Sequence, residues 1–148
     1  PGGTVTGYGL AASQLTRFKA AGVKLTVAVD QVAASGGYMM ACVADHVIGA
    51  PFAVFGSIGV VTTIPNVNRL LKRNHVDVEM LTAGEYKRTL TVIGENTTEG
   101  RAKMQEQLEE IHHLFKTFIN EHRPNLDLNT VATGEYWQGN PAKERHLF

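Results

Sequence analysis

One serine in the chain stands where a nucleophile would stand. Ser35 follows the small residues Ala33 and Ala34 and precedes Gly36, Gly37 and Tyr38. Ahead of it runs Leu25-Thr26-Val27-Ala28-Val29, an apolar and β-branched stretch that predicts a buried strand. Behind it, residues 38–44 are apolar almost all round and predict a short buried helix. A serine at a strand-to-helix turn projects outward, close to the free N–H groups and positive dipole end of the helix. That setting suits attack on a carbonyl, and two glycines beside it let a substrate backbone approach. The arrangement is a nucleophile elbow without the first glycine of G-x-S-x-G, a place that Ala33 takes. The same serine equally fits a plain helix N-cap, and the local sequence does not choose between the two.

A serine hydroxyl attacks only when a base takes its proton. The candidates are histidines at 46, 75, 112, 113, 122 and 146 and lysines at 19, 24, 72, 87, 103, 116 and 143. Asp45-His46 hints at a triad, but adjacent side chains on a strand point to opposite faces, so Asp45 is badly placed to orient His46. His112 and His113 are neighbours about 100° apart around a helix and lack the i, i+4 spacing of metal ligands. They fit a solvated or core-edge role better. No other His, Cys, Asp or Glu cluster suggests a metal, and neither metal nor cofactor is expected. Six of the lysines lie on helical faces or beside turns in charged company. Lys87 differs, because it sits in Ala83-Gly84-Glu85-Tyr86-Lys87-Arg88-Thr89-Leu90, a predicted loop directly after a predicted strand. An ordinary lysine titrates near 10.4, so roughly 0.04% is neutral at pH 7. Bringing that pKa to about 8 takes on the order of 3 kcal/mol of destabilisation of the ammonium. Apolar burial, or a neighbour such as Arg88, is the way to supply it.

The elements that must position these groups read as an α/β alternation. Pro1-Gly2-Gly3 is a flexible turn, and residues 8–21 predict a helix with Ala11, Leu15 and Phe18 in register and Gly22 as its C′ residue. His46–Ala50 predicts a second strand, and Gly56-Ser57-Ile58-Gly59-Val60 a strand edge that another backbone approaches closely. Residues 66–74 predict a helix, 76–81 a half-exposed strand by alternation, and 82–98 a loop. The longest helix is expected from about Thr98 to Glu121, with Met104, Leu108, Ile111, Leu114, Phe115, Phe118 and Ile119 on one stripe and Pro124 beyond its end. A short helical stretch at 127–132, a turn at 134–139 and a helix starting near Pro141 complete the chain.

At 148 residues this is expected to be one domain, spanning 1–148, with a core of its own. Its 14 basic and 14 acidic residues cancel, so bulk charge draws it to no nucleic acid. Cys42 is the only cysteine, which excludes an intrachain disulfide. No apolar run approaches the roughly 18 residues of a membrane span. The chain begins at Pro1 and stops at Phe148 in what reads as mid-element, so it is expected to be a fragment of a longer parent.

Four motifs in register carry a resemblance: Pro1-Gly2-Gly3, Ala34-Ser35-Gly36-Gly37-Tyr38, Gly56-Ser57-Ile58-Gly59-Val60 and Gly84-Glu85-Tyr86-Lys87. In order and spacing they resemble the signal peptide peptidase A (protease IV) family over essentially the whole chain. Thr91-Val92-Ile93-Gly94-Glu95-Asn96-Thr97 and Ala132-Thr133-Gly134-Glu135-Tyr136-Trp137 look most like its SohB branch. The resemblance implies a ClpP/crotonase-like α/β fold, a layered sheet with flanking helices, and a serine peptidase with a Ser-Lys dyad. By position Ser35 would be the nucleophile and Lys87 the general base. Gly3 would be an oxyanion-hole donor, with the N–H at Ser35 or Gly36 as the second. Ser57 would support the dyad or shape the groove, along with Ile58, Gly59 and Val60, and Met39 would help make that groove apolar. The substrates implied are extended hydrophobic peptides such as cleaved signal peptides. The resemblance further implies a parent anchored in the bacterial inner membrane, facing the periplasm and assembled as a homo-oligomeric ring. It also implies that this chain lacks the anchor, the early strand-helix units of the fold and the Val-Asp usually found after the last leucine. Two other readings stand beside it: a crotonase-like acyl-CoA enzyme, for which no paired acids lie near the glycine motifs, and a catalytically silent scaffold binding membrane-protein segments.

Overall fold

The computed structural model describes residues 1–148. Its elements run α1 (Val5–Ala20), β1 (Thr26–Val29), β2 (Val32–Ala34), α2 (Gly36–Ala41), β3 (His46–Gly49), β4 (Val54–Gly56), α3 (Asn68–Arg73), α4 (Thr98–His122), α5 (Leu128–Val131), β5 (Tyr136–Gln138) and α6 (Gly139–Glu144). Helices and strands mix in an α/β architecture, with the chain gathered in two compact units, residues 1–60 with 112–148 and residues 61–111. No helix is long and apolar enough to cross a membrane.

In the first unit β1 and β3 pair in parallel, Thr26 opposite His46 and Val29 opposite Gly49. β2 pairs in parallel with β4, and β5 joins the far side of β4 antiparallel, Phe55 opposite Trp137. Side chains alternate across β1 and β3, so Val27, Val29 and Val47 turn to the core while Ile48 is exposed. Tyr38 and Cys42 of the α2 region, Phe55 of β4, Ile58, Ile119 of α4 and Leu147 are wholly buried together. Phe148 stacks on Phe55 with ring centroids 4.4 Å apart. The Tyr38 hydroxyl donates to the Leu147 carbonyl at 3.1 Å, so this buried polar group is satisfied. Asp45 ties the start of β1 to the start of β3: the Leu25 N–H donates to its Oδ2 at 2.8 Å, and its own N–H donates to the Leu25 carbonyl at 2.9 Å. That Leu25 N–H, with Lys19 and Lys24 nearby, holds the Asp45 carboxyl below the usual range.

The second unit is held differently. Between 61 and 111 no hydrophobic side chain is fully buried, and the one buried polar residue is Asn68. Asn66 Nδ2 donates to the carbonyls of Thr91 and Gly94 at 2.8 and 2.9 Å, and Asn68 Nδ2 donates to that of Ile93 at 2.8 Å. The Val67 N–H donates to the Val92 carbonyl at 2.8 Å, and the Thr91 N–H to Asn96 Oδ1 at 2.8 Å. Amide side chains thus clamp the strap 91–96 to the start of α3, doing in polar chemistry what a core does elsewhere.

Several expectations shift. Helix α1 ends as expected, with Gly22 at φ 78°, but it starts at Val5 and buries Ala12 between Val5, Tyr8 and Leu15, leaving Phe18 54% exposed. The strand that feeds Ser35 is β2 rather than 25–29, and α2 covers 36–41, so Gly36 and Gly37 form its first turn. The segment 76–81 is not a strand, because its alternating pattern meets no neighbouring strand to fix it. Within the expected turn at 134–139 lies β5, where aromatic Tyr136 and Trp137 take up the free edge of β4. On α4, Phe115 and Ile119 are buried as expected but Leu114 is exposed. Strand β4 stops at Gly56, and backbone approaches the segment closely at both ends: a Cβ on Gly56 would stand 3.0 Å from the Glu135 carbonyl oxygen, and one on Gly59 3.0 Å from Gly134 Cα.

Candidate active site

Ser35 occupies the corner between β2 and α2 with φ 53° and ψ −124°. L-residues rarely adopt that conformation, and it persists only where the surroundings enforce it. Here the Ser35 N–H donates to the Gly56 carbonyl at 2.8 Å, and the Ser35 carbonyl accepts from the Met39 N–H at 3.0 Å. The side chain makes no capping hydrogen bond to α2. The plain N-cap reading therefore fails, and Oγ stands free at a strained corner, half-buried.

Pro1-Gly2-Gly3 lies on this corner. A Cβ on Gly2 would stand 2.6 Å from Ser35 Cβ, and one on Gly37 would stand 2.8 Å from the Pro1 carbonyl oxygen. Tyr8 wedges between the two glycine segments: a Cβ on Gly3 would stand 2.6 Å from Tyr8 Cε2, and one on Gly36 would collide with the same ring. The Gly3 N–H makes no hydrogen bond within the chain, and that of Gly36, in the first turn of α2, has no intrahelical acceptor. In the sequence Gly2 stands out only as part of the Pro1-Gly2-Gly3 motif, and Tyr8 not at all. The glycine doublet was the available signal for the first, and nothing local signals the second.

The bond from Ser35 to Gly56 also brings the 56–60 segment beside the corner. Gly56 and Ser57 both have positive φ, 102° and 49°, and the Ser57 N–H donates to the Glu135 carbonyl at 2.6 Å. Ile58 and Met39 turn their side chains into the core, 0% and 4% exposed. Neither presents its side chain to solvent, whereas Gly59 and Val60 are half-buried. The Ile58 carbonyl instead meets His112 Nε2 at 3.2 Å, which gives His112 its core-edge role.

Lys87 belongs to the other unit, in a turn closed by its N–H donating to the Gly84 carbonyl at 3.2 Å. Both Lys87 and Arg88 are exposed, so the apolar burial expected around this lysine is not present in this chain. Asp45 is engaged by Leu25 and two lysines, and His46 and His113 are exposed. No three His, Cys, Asp or Glu side chains gather closely enough to hold a metal.

Residues 17–148 match the family model described as Peptidase family S49. The chain belongs to this family. It is 65% identical over 142 residues to the "Probable protease SohB" of Haemophilus influenzae, covering 96% of this chain and 40% of that protein. The "Probable protease SohB" of Buchnera aphidicola subsp. Schlechtendalia chinensis is 58% identical, over 99% of this chain and 48% of that protein. Its counterpart from the Acyrthosiphon pisum subspecies is 57% identical, over 99% of this chain and 44% of that protein. The chain thus spans less than half the length of these S49 relatives.

Proposed function

We propose that the chain carries the catalytic part of a serine endopeptidase with a Ser-Lys dyad, on a ClpP/crotonase-like layered fold. The observation that carries the reading is the enforced, strained backbone of Ser35, whose Oγ has no structural employment. In this reading the neutral amine of Lys87 takes the Oγ proton as Oγ bonds to the scissile carbonyl carbon. The oxyanion is met by the N–H groups of Gly3 and Gly36. Collapse breaks the C–N bond, and Lys87 returns its proton to the departing amine. Water then attacks the acyl-enzyme and gives a proton to Lys87; the C–Oγ bond breaks, Lys87 returns that proton to Oγ, and the new carboxyl end is freed. Ser57, Gly59 and Val60 hold an extended hydrophobic peptide, such as a cleaved signal peptide, beside the corner. Names of the relatives and family membership support a peptidase.

The parent in this reading is anchored in the bacterial inner membrane, works on the periplasmic side and assembles as a homo-oligomeric ring that supplies the low-dielectric surroundings Lys87 needs. The test is labelling with a fluorophosphonate. Covalent modification of wild-type protein that disappears in Ser35→Ala supports the reading. Equal labelling of the variant, or none of the assembled wild type, overturns it.

A further inference from the structure

A single aromatic ring touches both residues whose N–H groups would meet the oxyanion. Tyr8 lies in the first turn of α1, its N–H donating to the Thr4 carbonyl at 3.1 Å. Side chains on a helix lean toward its N-terminus, so this ring leans back over Pro1-Gly2-Gly3. Because α1 packs on α2, the same ring also meets the first residue of α2. Tyr8 Cβ and Cδ2 stand 2.7 Å from where a Cβ on Gly36 would be. Its Cε2 and Cδ2 stand 2.6 and 3.3 Å from where one on Gly3 would be. The Cδ2–Cε2 edge thus bridges the two residues.

The contacts also account for the residue type at both places. Neither Gly3 nor Gly36 has the positive φ that calls for glycine at Gly22 or Gly56. What excludes a side chain at each is the ring, which fills the space that a Cβ would need. Gly36 is buried, and Tyr8 is half-buried and packed against the core, so the ring is backed by the rest of the unit.

We propose that Tyr8 is the spacer of the oxyanion site, its ring setting the separation of the Gly3 and Gly36 N–H groups so that both reach one oxygen. Tyr8 acts through the two glycines and is a positioning residue. The proposal rests on the serine peptidase reading and adds to it what fixes the two donors. Such donors work within about 2.7–3.1 Å of the oxyanion, so a shift at one glycine weakens transition-state binding while ground-state peptide binding is kept. The ring carries the role and the hydroxyl does not, since every contact runs through carbon atoms of Tyr8.

The test compares wild type, Tyr8→Phe, Tyr8→Leu and Tyr8→Met in the assembled protein. Phe keeps the ring edge, whereas Leu and Met keep apolar bulk without it, and flexible Met refills the space where Leu leaves too few folded sites. The readouts are kcat and KM for a fluorogenic hydrophobic peptide, and inhibition by a peptide aldehyde and by the matching alcohol. The aldehyde carbon bonds to Ser35 Oγ, the Oγ proton passes to Lys87, and the carbonyl oxygen becomes an oxyanion facing the two N–H groups. The alcohol forms no such bond. Rates are expressed per site titrated with a fluorophosphonate, so that loss of folded protein is not counted as loss of rate. Tyr8→Leu and Tyr8→Met should lower kcat per site at least about tenfold and weaken the aldehyde by a similar factor. Their KM and alcohol inhibition should stay within about twofold of wild type, and Tyr8→Phe should match wild type throughout. Unchanged kcat per site in both ring-less variants, equal weakening of aldehyde and alcohol, or the same loss in Tyr8→Phe overturns the spacer role and leaves the peptidase reading in place. Wild type in which no site titrates, or Ser35→Ala that titrates like wild type, overturns that reading and the spacer role with it.

Discussion

Gly2 lies directly against Ser35, so that a Cβ on it would stand 2.6 Å from Ser35 Cβ and 3.0 Å from Oγ. No methyl group fits in that space, and one placed there displaces the Pro1–Gly3 strap from the corner. Gly2→Ala should therefore slow fluorophosphonate labelling of Ser35 at least about tenfold, short of the roughly 100-fold or more that follows outright loss of an oxyanion donor. Its melting temperature should hardly move, because Gly2 is exposed. Labelling at the wild-type rate would show that the strap has no part in the site.

The backbone of Ser35 makes a prediction that needs no substrate. With φ at 53° and ψ at −124°, any side chain with a Cβ is strained, and glycine is not. Ser35→Gly should be more stable than Ser35→Ala by about 1 kcal/mol, the strain relieved less the entropy glycine gains in the unfolded chain. Both lose the hydroxyl, so a denaturant titration of the pair isolates the strain. Equal midpoints would mean that the corner is relaxed.

Lys87 is exposed, and removing its amine should leave the fold intact while abolishing peptide turnover in the assembled protein. Circular dichroism checks the first and a fluorogenic hydrophobic peptide the second. In wild type the rate should climb on the alkaline side, because a lysine base acts only once deprotonated. A Lys87→Ala variant that turns over at the wild-type rate would dispose of the dyad.

Acid should destabilise the chain in two windows. Burial lowers the folded pKa of His122, so below the ordinary histidine value of 6.5 the unfolded chain binds the extra proton first. Its contribution is complete above that value and is lost as pH falls through the lower folded one. The lowered Asp45 carboxyl acts in the same direction further down, its contribution present above the ordinary value of 3.8 and lost below it. His122→Gln should flatten the fall in melting temperature just below pH 6.5, and Asp45→Asn the fall beneath pH 3.8. A fall unchanged in both variants would assign acid sensitivity to other groups.

The amide clamp predicts local loosening. Asn68→Ala removes the donor to the Ile93 carbonyl and should speed hydrogen exchange across 91–96 at least about tenfold, with little change in the protection of α2. Uniform acceleration through the whole chain would show that Asn68 supports the global fold instead.

The elements that could be read in advance were those whose signal is local. Gly22 closing α1, the β-branched run of β1 and the long stripe of α4 all declare themselves within a few residues of sequence. What stayed hidden depended on partners distant in the chain. β5 exists because β4 offers an edge to Tyr136 and Trp137, and no window around Gly134 contains that edge. The alternation at 76–81 is as regular as that of many strands, but no neighbour comes to meet it. At the site, the serine and its glycines were legible from their types, whereas Tyr8 reaches Gly3 and Gly36 only because α1 folds back on α2. Ile58 looked suited to a groove because it is apolar, yet that property sends it into the core.

The asparagine-stitched unit has one more consequence. Residues 61–111 bury no apolar side chain completely, so melting them alone would release less heat-capacity change per residue, and depend less on urea, than melting the other unit. Calorimetry or bulk denaturant curves would then report mainly on the other unit, while the segment bearing Lys87 came apart with little signal.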